Sequence, residues 1–389
     1  MKPFKNNLKK SQIHGENQQV ILINYTGRRG GGPLAAYEMT KALIEQGLFV
    51  VAVISDAIEN LESWKQLPLK KLVVIPTYHS PLTFIYRHAW FLLFRKYTIR
   101  KYLKDYEIKV IYCPMCTFWT YAVNQLFPDA KKIVACHDPV PHTGEAHPLL
   151  DWFCGIEKAY RSADELIVHS RKFVRYTQNR YKKKGHVHYL PLGRPDFYKQ
   201  ISEKYTAVSY RPDTVNFVFF GRISPYKGLD LLAEAYRMVS AKCSRVTLTV
   251  AGAGDFAPYK KKYQSLSHTR VINRWIRDDE VESIFTGNNL IAVLPYTDAT
   301  QSGVALVAMN YGVPVIAADA GGLSEQIEDG VTGMLIQPGS AGMLAEKMLL
   351  LARDRQLYEE IRNQIRHRTQ RMQWDKPAKK LAELAGKIC

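Results

Sequence analysis

The chain has 389 residues, 46% of them apolar, which is enough for about two domains with a hydrophobic core each. Its 54 Lys and Arg outweigh 36 Asp and Glu to give a formal net charge of +18, so an anionic partner is expected. Six scattered cysteines do not form the disulfide framework of a small secreted protein, and no run of about 18 to 20 apolar residues is present to span a membrane.

The first seventeen residues, MKPFKNNLKKSQIHGEN, are basic and lack the apolar core of a signal peptide. We therefore predict a flexible basic arm over residues 1–17, attached to a cytoplasmic protein.

Short apolar strands then alternate with helical stretches. In the first half, the predicted strands lie at residues 20–24, 50–55, 110–112, 133–136 and 165–169, and predicted helices at 34–46 and 149–162. Pro191 and Pro195 interrupt the pattern, and a second series of strands follows at 216–221, 247–251, 290–294, 314–318 and 334–336. Such alternation predicts an α/β fold with two parallel sheets, and we place the boundary between residues 193 and 212.

Three glycines, Gly30, Gly31 and Gly32, lie between the first strand and the first helix. Backbone without side chains allows an anion to approach closely at such a turn. A flexible turn is the alternative, but the placement favours a loop that contacts a phosphate group or an acceptor substrate.

The run FVFFGRISPYKGLDLL, residues 217–232, opens the second half. An apolar strand meets Gly221, and Arg222 and Lys227 then lie on the turn before a helix. About seventy residues later, a glycine-rich loop precedes a helix near Gly303, and the strand of Val313 leads to the pair Gly321-Gly322. Helix N-termini and two cations facing one cleft suit a nucleoside diphosphate.

In this fixed order, these motifs resemble the retaining glycosyltransferases of family 4, also described as glycosyl transferases group 1, which have the GT-B fold. The pattern is a strand ending in Gly-Arg, a Lys before Gly228, the second glycine-rich loop, the Gly-Val-Pro-Val strand and Gly-Gly-x-x-Glu. Motifs carry the resemblance over residues 216–352. Over the first two hundred residues, element order alone carries it.

The resemblance implies two doubly wound Rossmann-like domains that face a central cleft. Residues 18–200 would bind the acceptor and residues 201–372 the nucleotide sugar, while a final helix, 373–389, would pack back on the N-terminal domain. Parallel sheets of this kind bind ligands at the carboxyl ends of their strands.

The resemblance also assigns roles to individual residues. Arg222 and Lys227 match the pair that neutralises the donor diphosphate, and His137 matches a histidine that hydrogen-bonds the transferred sugar; these three are the candidate catalytic residues. A loop-pinning hydrogen bond is the alternative for His137, and a place in the core is the alternative for Trp275. The full set of candidate donor-binding residues is Gly221, Arg222, Lys227, Arg274, Trp275, Ile276, Asp298, Thr300, Gln301, Ser302, Gly303, Val304 and Glu325.

One departure from the family concerns two glutamates, separated by seven residues, that contact the donor sugar and ribose in many members. Ala299 and Val307 occupy those positions. Sugar contacts would then come from Asp298 and from backbone amides at residues 301–304. Glu325 matches a family position near the cleft, although a carboxylate at a helix start is also favoured by the helix dipole.

We predict no metal and no cofactor. Fixed cations aimed at a leaving diphosphate can replace a metal ion, and the sequence contains no Asp-x-Asp. Cys113 and Cys116 form one Cys-x-x-Cys without a second cysteine or histidine pair nearby, so two thiols at a strand end are favoured over zinc.

The charge lies mostly in the first half. Residues 1–200 hold 30 Lys and Arg against 16 Asp and Glu, and residues 201–389 hold 24 against 20. The excess concentrates at 84–106 and 169–185, where basic residues mix with aromatic ones, as on helices that lie on anionic membranes. Packing on the sheet is the alternative for the aromatic residues of 84–106, and an acidic polysaccharide acceptor is another candidate partner.

The sequence thus predicts a retaining, metal-independent glycosyltransferase that moves a sugar from a nucleoside-diphosphate sugar to a saccharide or lipid-linked saccharide. We expect a cytoplasmic protein, peripheral on the cytosolic face of the membrane. The alternatives are a sugar-nucleotide epimerase of GT-B architecture and a basic nucleic-acid-binding protein. No nucleic-acid motif accompanies the basic residues, so no nucleic acid is expected as a partner.

Overall fold

The computed structural model of the protein describes residues 20–388 except residues 79, 143–147, 202–209 and 212. The arm predicted at residues 1–17 lies outside the described residues. Within the described ranges, no helix combines the length and the hydropathy that crossing a bilayer would require.

The first half forms a seven-stranded sheet in the order β3-β2-β1-β4-β5-β6-β7, with every neighbouring pair parallel. Its strands are β1 Val20–Tyr25, β2 Phe49–Ser55, β3 Lys71–Ile75, β4 Ile108–Cys113, β5 Lys131–Ala135, β6 Glu165–Val168 and β7 Val187–Tyr189. Both faces are covered: on β1, Ile21 and Ile23 pack into one core and Leu22 into the other, because successive side chains of a strand point to opposite faces. The predicted strand positions lacked β3 and β7.

The helices of this half are α1 Gly31–Glu45, α2 Leu61–Gln66, α3 Pro81–Trp90, α4 Lys96–Tyr102, α5 Thr120–Asn124, α6 Pro148–Phe153, α7 Ile156–Ser162, α8 Val174–Tyr181 and α9 Phe197–Ile201. A π-helical turn, Phe91–Arg95, joins α3 to α4. The single helix predicted at 149–162 was wrong: Gly155 adopts the left-handed conformation (φ 72°) and separates α6 from α7.

The second half forms a six-stranded parallel sheet in the order β10-β9-β8-β11-β12-β13. Its strands are β8 Val215–Phe220, β9 Val246–Ala251, β10 Thr269–Ile272, β11 Leu290–Leu294, β12 Val315–Ala318 and β13 Gly333–Ile336. Its helices are α10 Leu229–Lys242, α11 Lys260–Gln264, α12 Val281–Phe285, α13 Gly303–Asn310, α14 Leu323–Gln326, α15 Ala341–Arg353, α16 Arg355–Thr369 and α17 Asp375–Ile388. The prediction of two parallel, helix-covered sheets in an α/β fold is confirmed, although β10 was missed.

Both sheets change winding direction at the strand where their first glycine loop begins. β1 lies between β2 and β4, and β8 lies between β9 and β11. The loop with Gly30 follows β1 and the loop with Arg222 follows β8. Ligands of open α/β sheets bind outside the carboxyl ends of the strands at such switch points, so the fold brings these two loops to the expected place for a ligand.

The last helix, α17, contacts the N-terminal sheet rather than the sheet that precedes it in sequence. Gln46 Nε2 donates to the carbonyl of Asp375 at 2.6 Å, and Lys380 Nζ donates to the carbonyl of Tyr189 at 2.6 Å. Trp374, just before α17, donates from Nε1 to the carbonyl of Arg194 at 3.0 Å. The domain limits themselves stay a prediction, since most of residues 201–212 lie outside the described part.

Candidate active site

A cavity of about 330 Å³ lies between the two halves of the molecule. The N-terminal half contributes the Gly30–Gly32 turn and His137, and the C-terminal half contributes the loop from Gly221 to Lys227. The same lining includes the start of α13. Loops from both switch points therefore share one cleft.

The turn after β8 holds its lysine against two aromatic rings. Lys227 ends the short 3₁₀ turn Pro225–Lys227, and its ammonium lies 3.7 Å from the ring centroid of Tyr296 and 4.6 Å from that of Tyr226. Burial lowers the pKa of Lys227, but the two tyrosines outweigh burial and raise it, so the ammonium is charged at neutral pH.

Gly228 makes this turn sterically feasible. Its φ is 70°, and a Cβ there would lie 1.9 Å from the carbonyl oxygen of Pro295. Only glycine combines the left-handed conformation with such a close approach, so Lys227 is fixed by backbone geometry as well as by its own contacts.

The second loop is also held from several sides. Ser302 caps α13, its hydroxyl accepting from the amide of Ala305 at 3.3 Å, and Gln326 brackets the backbone of Ser302 with bonds of 2.8 and 3.2 Å. Gly321 (φ 51°) packs so tightly that a Cβ would lie 1.5 Å from the carbonyl of Ala299. The amides at the start of α13 are therefore presented to the cavity by a rigid frame.

His137 is buried in the N-terminal wall. Its Nε2 lies 2.7 Å from the carbonyl of Pro114 and 3.2 Å from Nε2 of His169. Nδ1 of His169 donates to the carbonyl of Leu190 at 2.8 Å. Burial lowers the pKa of His137, and burial with His137 lowers the pKa of His169 to about 3, so both rings are neutral. Because Nε2 of His137 donates to Pro114, Nδ1 carries the free lone pair.

Four polar side chains connect the two halves beside His137. Nδ1 of His142 lies 2.7 Å from a carboxylate oxygen of Asp298, and Nε2 lies 3.1 Å from a carboxylate oxygen of Asp138. The hydroxyl of Thr300 donates to the same Asp138 oxygen. The ring of His142 stacks on Tyr226, with centroids 4.3 Å apart and planes 9° apart. Sequence reasoning missed His142 and assigned no role to Asp138, which follows His137 directly.

Two models of glycosyltransferase families match the chain, one in each half. A family model described as "Glycosyl transferases group 1" matches residues 214–354, and one described as "Glycosyltransferase Family 4" matches residues 29–195. The chain belongs to the group 1 glycosyltransferases. Each half of the molecule is thus matched by a glycosyltransferase model, which agrees with the motifs of the second half and with the element order of the first.

Individual relatives are more distant. The chain is 30% identical over 168 residues to the sulfoquinovosyl transferase SQD2 of Arabidopsis thaliana, covering 42% of this chain and 31% of that protein. It is 27% identical over 175 residues to a lipopolysaccharide 1,2-N-acetylglucosaminetransferase of Salmonella typhimurium, covering 42% and 45%. The chain therefore spans less than half the length of these curated relatives.

A solved structure extends the likeness to nearly the whole chain. The Anabaena protein HepE, in complex with UDP and glucose, superposes with a TM-score of 0.67 at 18% identity, covering 95% of this chain and all of that one. At this identity the likeness concerns the fold alone, and it confirms the predicted GT-B fold.

On the C-terminal side of the cavity, Trp275 and Ile276 belong to the lining and Arg274 does not. Indole Nε1 of Trp275 donates across the cleft to Glu59 at 2.5 Å, and Arg29 lies over the indole at 5.5 Å. The guanidinium of Arg274 instead contacts both carboxylate oxygens of Glu280, at 2.7 and 2.8 Å.

Glu325 also lies outside the cavity lining. Its carboxylate accepts from the hydroxyl of Ser170 at 2.9 Å and from the amides of Arg171 and Lys172 at 2.8 and 2.9 Å. Glu325 thus caps a 3₁₀ turn of the N-terminal half and ties the two halves together at a second point.

The cavity brings together most of the candidate residues. It is lined by Gly30, Gly31, Gly32, His137, Gly221, Arg222, Lys227, Trp275, Ile276, Gln301, Ser302, Gly303 and Val304. Its lining does not include Arg274, Asp298, Thr300 and Glu325. Asp298 contacts His142, and Thr300 contacts Asp138. His142 and Asp138 both line the cavity. Among the described residues, no group of three or more His, Cys, Asp or Glu side chains is arranged to hold a metal ion.

Proposed function

We propose that the protein is a retaining, metal-independent glycosyltransferase that moves a sugar from a nucleoside-diphosphate sugar to a hydroxyl of a saccharide or lipid-linked saccharide. One observation carries the proposal. Arg222, Lys227 and the start of α13 converge on the same interdomain cavity as His137.

The diphosphate would lie between the two cations and the amides of residues 302–304. A leaving nucleoside diphosphate gains negative charge as the glycosidic bond breaks. Charges and dipoles already fixed toward that position stabilise the transition state without the cost of reorientation. This is our reason for proposing that no metal ion is required.

The sugar would then lie between the α13 loop and His137. The ring is neutral, with its Nδ1 lone pair free, so Nδ1 can accept a hydrogen bond from a sugar hydroxyl. Trp275 and Ile276 would border the base. The proposal that the anomeric configuration is retained rests on the family resemblance, and the configuration of the product tests it directly.

The acceptor would approach from the N-terminal half, at the surface of a membrane. The Tyr86, Trp90 and Phe94 rings follow one another along α3 and the π turn, with Trp90–Phe94 centroids 4.6 Å apart. All three side chains are exposed, as are the cations Arg100 and Lys101. Aromatic rings beside basic residues suit an anionic lipid surface, so we propose peripheral binding on the cytosolic face.

A two-step experiment tests the proposal. A thermal-shift screen against nucleoside-diphosphate sugars identifies the donor, because a ligand that binds only the folded state raises the melting temperature. The donor is then incubated with saccharide and lipid-linked acceptors, with and without a strong chelator, and the product is analysed by NMR. We expect acceptor-dependent transfer with retained configuration in both conditions.

Other outcomes would replace the proposal. A change in the free donor sugar without any acceptor would select a sugar-nucleotide epimerase. Tight, salt-dependent oligonucleotide binding without affinity for nucleotide sugars would select a nucleic-acid-binding protein. Inverted configuration in the product would overturn the proposed retaining mechanism. Activity restored only by added metal would overturn the proposed metal independence.

A further inference from the structure

His142 forms a bridge between Asp298 and Asp138. The geometry of this bridge specifies the protonation state of the His142 ring. Both ring nitrogens lie within hydrogen-bond distance of a carboxylate oxygen, at 2.7 Å from Asp298 and 3.1 Å from Asp138. An ionised carboxylate only accepts hydrogen bonds, and a neutral imidazole has only one N–H. Both contacts can therefore be hydrogen bonds only when the ring carries two protons and a positive charge.

The bridge joins the two walls of the cleft. His142 and Asp138 belong to the N-terminal half, and Asp298, Thr300 and Tyr226 belong to the C-terminal half. Each anchor is next to a residue of the proposed machinery. Asp138 follows His137, Tyr226 precedes Lys227, and the segment from Asp298 runs into the start of α13.

We propose that His142, as an imidazolium, is a positioning residue for the transfer, because it holds the His137 side of the cleft against the donor loop of the other half. This inference rests on the proposed glycosyltransferase function. His142 would act through Asp138 and Asp298, and it would matter when the two walls come together over the donor. Closure of two domains around a substrate is a common way to complete such a site.

The charged and titratable groups around the His142 ring set the pH range over which the bridge forms. Asp138 faces it from its own segment, and Asp298 and the stacked Tyr226 face it from the other half. Burial lowers the pKa of His142, but the bonds and charges of the two aspartates outweigh burial and raise it. While the two aspartates are ionised, the bridge is therefore intact below the raised pKa of His142 and is lost as the pH rises through it.

The first test measures the ring itself, without any turnover. In protein with ¹³C-labelled histidine, the signal of His142 is assigned from His142→Gln and titrated by NMR. We expect a pKa above the ordinary value for His142, which falls by about one unit or more in Asp298→Asn, since a carboxylate neighbour typically contributes this much. An unchanged His142 pKa in Asp298→Asn would overturn the bridge.

The second test uses activity. His142→Gln should reduce kcat/KM about tenfold, while free UDP, or the nucleoside diphosphate that the screen selects, binds within about twofold of wild type. The alkaline limb of the kcat/KM profile should move to lower pH in Asp298→Asn, in step with the NMR titration. His186→Gln, at an exposed histidine bound to Glu165 away from the cleft, is the matched control.

The outcomes separate the two hypotheses. If no donor is turned over but the His142 titration depends on Asp298, the bridge stands and the proposed reaction fails. If transfer is normal in His142→Gln, or if its loss is matched by His186→Gln, the positioning role is wrong although the enzyme is a glycosyltransferase. A profile whose alkaline limb is unmoved in Asp298→Asn also contradicts the role.

Discussion

The two halves of this glycosyltransferase build their sides of the cleft in different ways. The C-terminal half depends on close backbone approaches to fix its loops: Gly228 and Gly321 approach carbonyls of neighbouring loops so closely that no side chain fits. The N-terminal half uses side chains, such as the His137–His169 pair and the Asp138–His142 pair. A backbone-held site leaves a glycine pattern in sequence, whereas a site held by side-chain contacts between distant residues does not.

The two halves also differ in net charge and in the aromatic side chains that they expose. The net charge is +14 over residues 1–200 and +4 over residues 201–389. The N-terminal half also exposes large aromatic side chains, with Tyr86 at 61%, Phe94 at 54% and Trp152 at 69% exposure. A nearly neutral half suits a nucleotide bound by a few fixed groups, and a basic, aromatic half suits an extended anionic surface.

The sharpest way to break this comparison is to remove the fixed cations. In Arg222→Ala and Lys227→Ala, transfer activity should fall about a hundredfold or more, because positioned charge is worth a few kcal/mol at such a transition state. Affinity for the nucleoside diphosphate should weaken in parallel, with the melting temperature little changed. Arg237→Ala, at an exposed cation on α10, is the control. Near-normal transfer in both variants would remove these residues from the site.

The C-terminal side of the cavity shows how far sequence reasoning reaches. Gly221, Arg222, Lys227 and the α13 loop were predicted to be neighbours from their order along the chain, and all line one cavity. Arg274 and Glu325 were predicted beside them. The guanidinium of Arg274 instead contacts Glu280, and the carboxylate of Glu325 accepts from the amides of Arg171 and Lys172. The sequence pattern fixes the loop on which a residue lies, but the direction of a long side chain depends on tertiary neighbours.

The N-terminal side shows where sequence reasoning stops. His142 follows Asp138 by four residues in a proline-flanked segment, which is a weak signal, and its second partner, Asp298, is 156 residues away. The same holds for Glu59 and Trp275, 216 residues apart. Contacts between halves require both folds to be in place, so no local pattern predicts them.

A smaller loss is expected at the N-terminal wall. His137→Ala should reduce kcat about tenfold or more while donor affinity changes less, because a hydrogen bond at the sugar matters most as charge develops at the anomeric carbon. Parallel measurements of kcat and of the donor Kd test this. If the variant unfolds, as loss of the bond to Pro114 would allow, or if it retains full turnover, the loop-pinning interpretation of His137 is right.

Charge reversal on the basic, aromatic surface of the N-terminal half should have a weaker effect, which is measured separately as vesicle binding. Replacing Arg100, Lys101 and Lys104 with Glu should reduce binding to anionic vesicles at least tenfold, since each basic residue near such a surface contributes about 1 kcal/mol. Co-sedimentation with anionic and zwitterionic vesicles at low and high salt measures this. The lysines at 260–262, exposed on the other half, provide the matched charge reversal. Equal recovery of wild-type protein in the supernatant with both vesicle types would rule out membrane binding.

The smallest effect concerns a carboxyl at the seam between the halves. Asp278 lines the cavity, and burial with the charges of Glu59 and Asp279 raises its pKa to about 8. The folded state therefore keeps a proton that the unfolded chain loses near its ordinary pKa of 3.8, so this group reduces stability progressively between about pH 4 and pH 8.

Asp278→Asn removes that loss while keeping the shape of the side chain, so its melting temperature should exceed that of wild type by on the order of 2 °C at pH 8 and by less at pH 5. Asp129→Asn, at an exposed position, should show no such pH dependence. Because burial in the cleft and then Glu59 of the other half are the largest causes of the raised pKa, the difference at pH 8 depends on the closeness of the two walls. Identical pH dependence in wild type and Asp278→Asn would mean that the halves do not approach each other at this seam in solution.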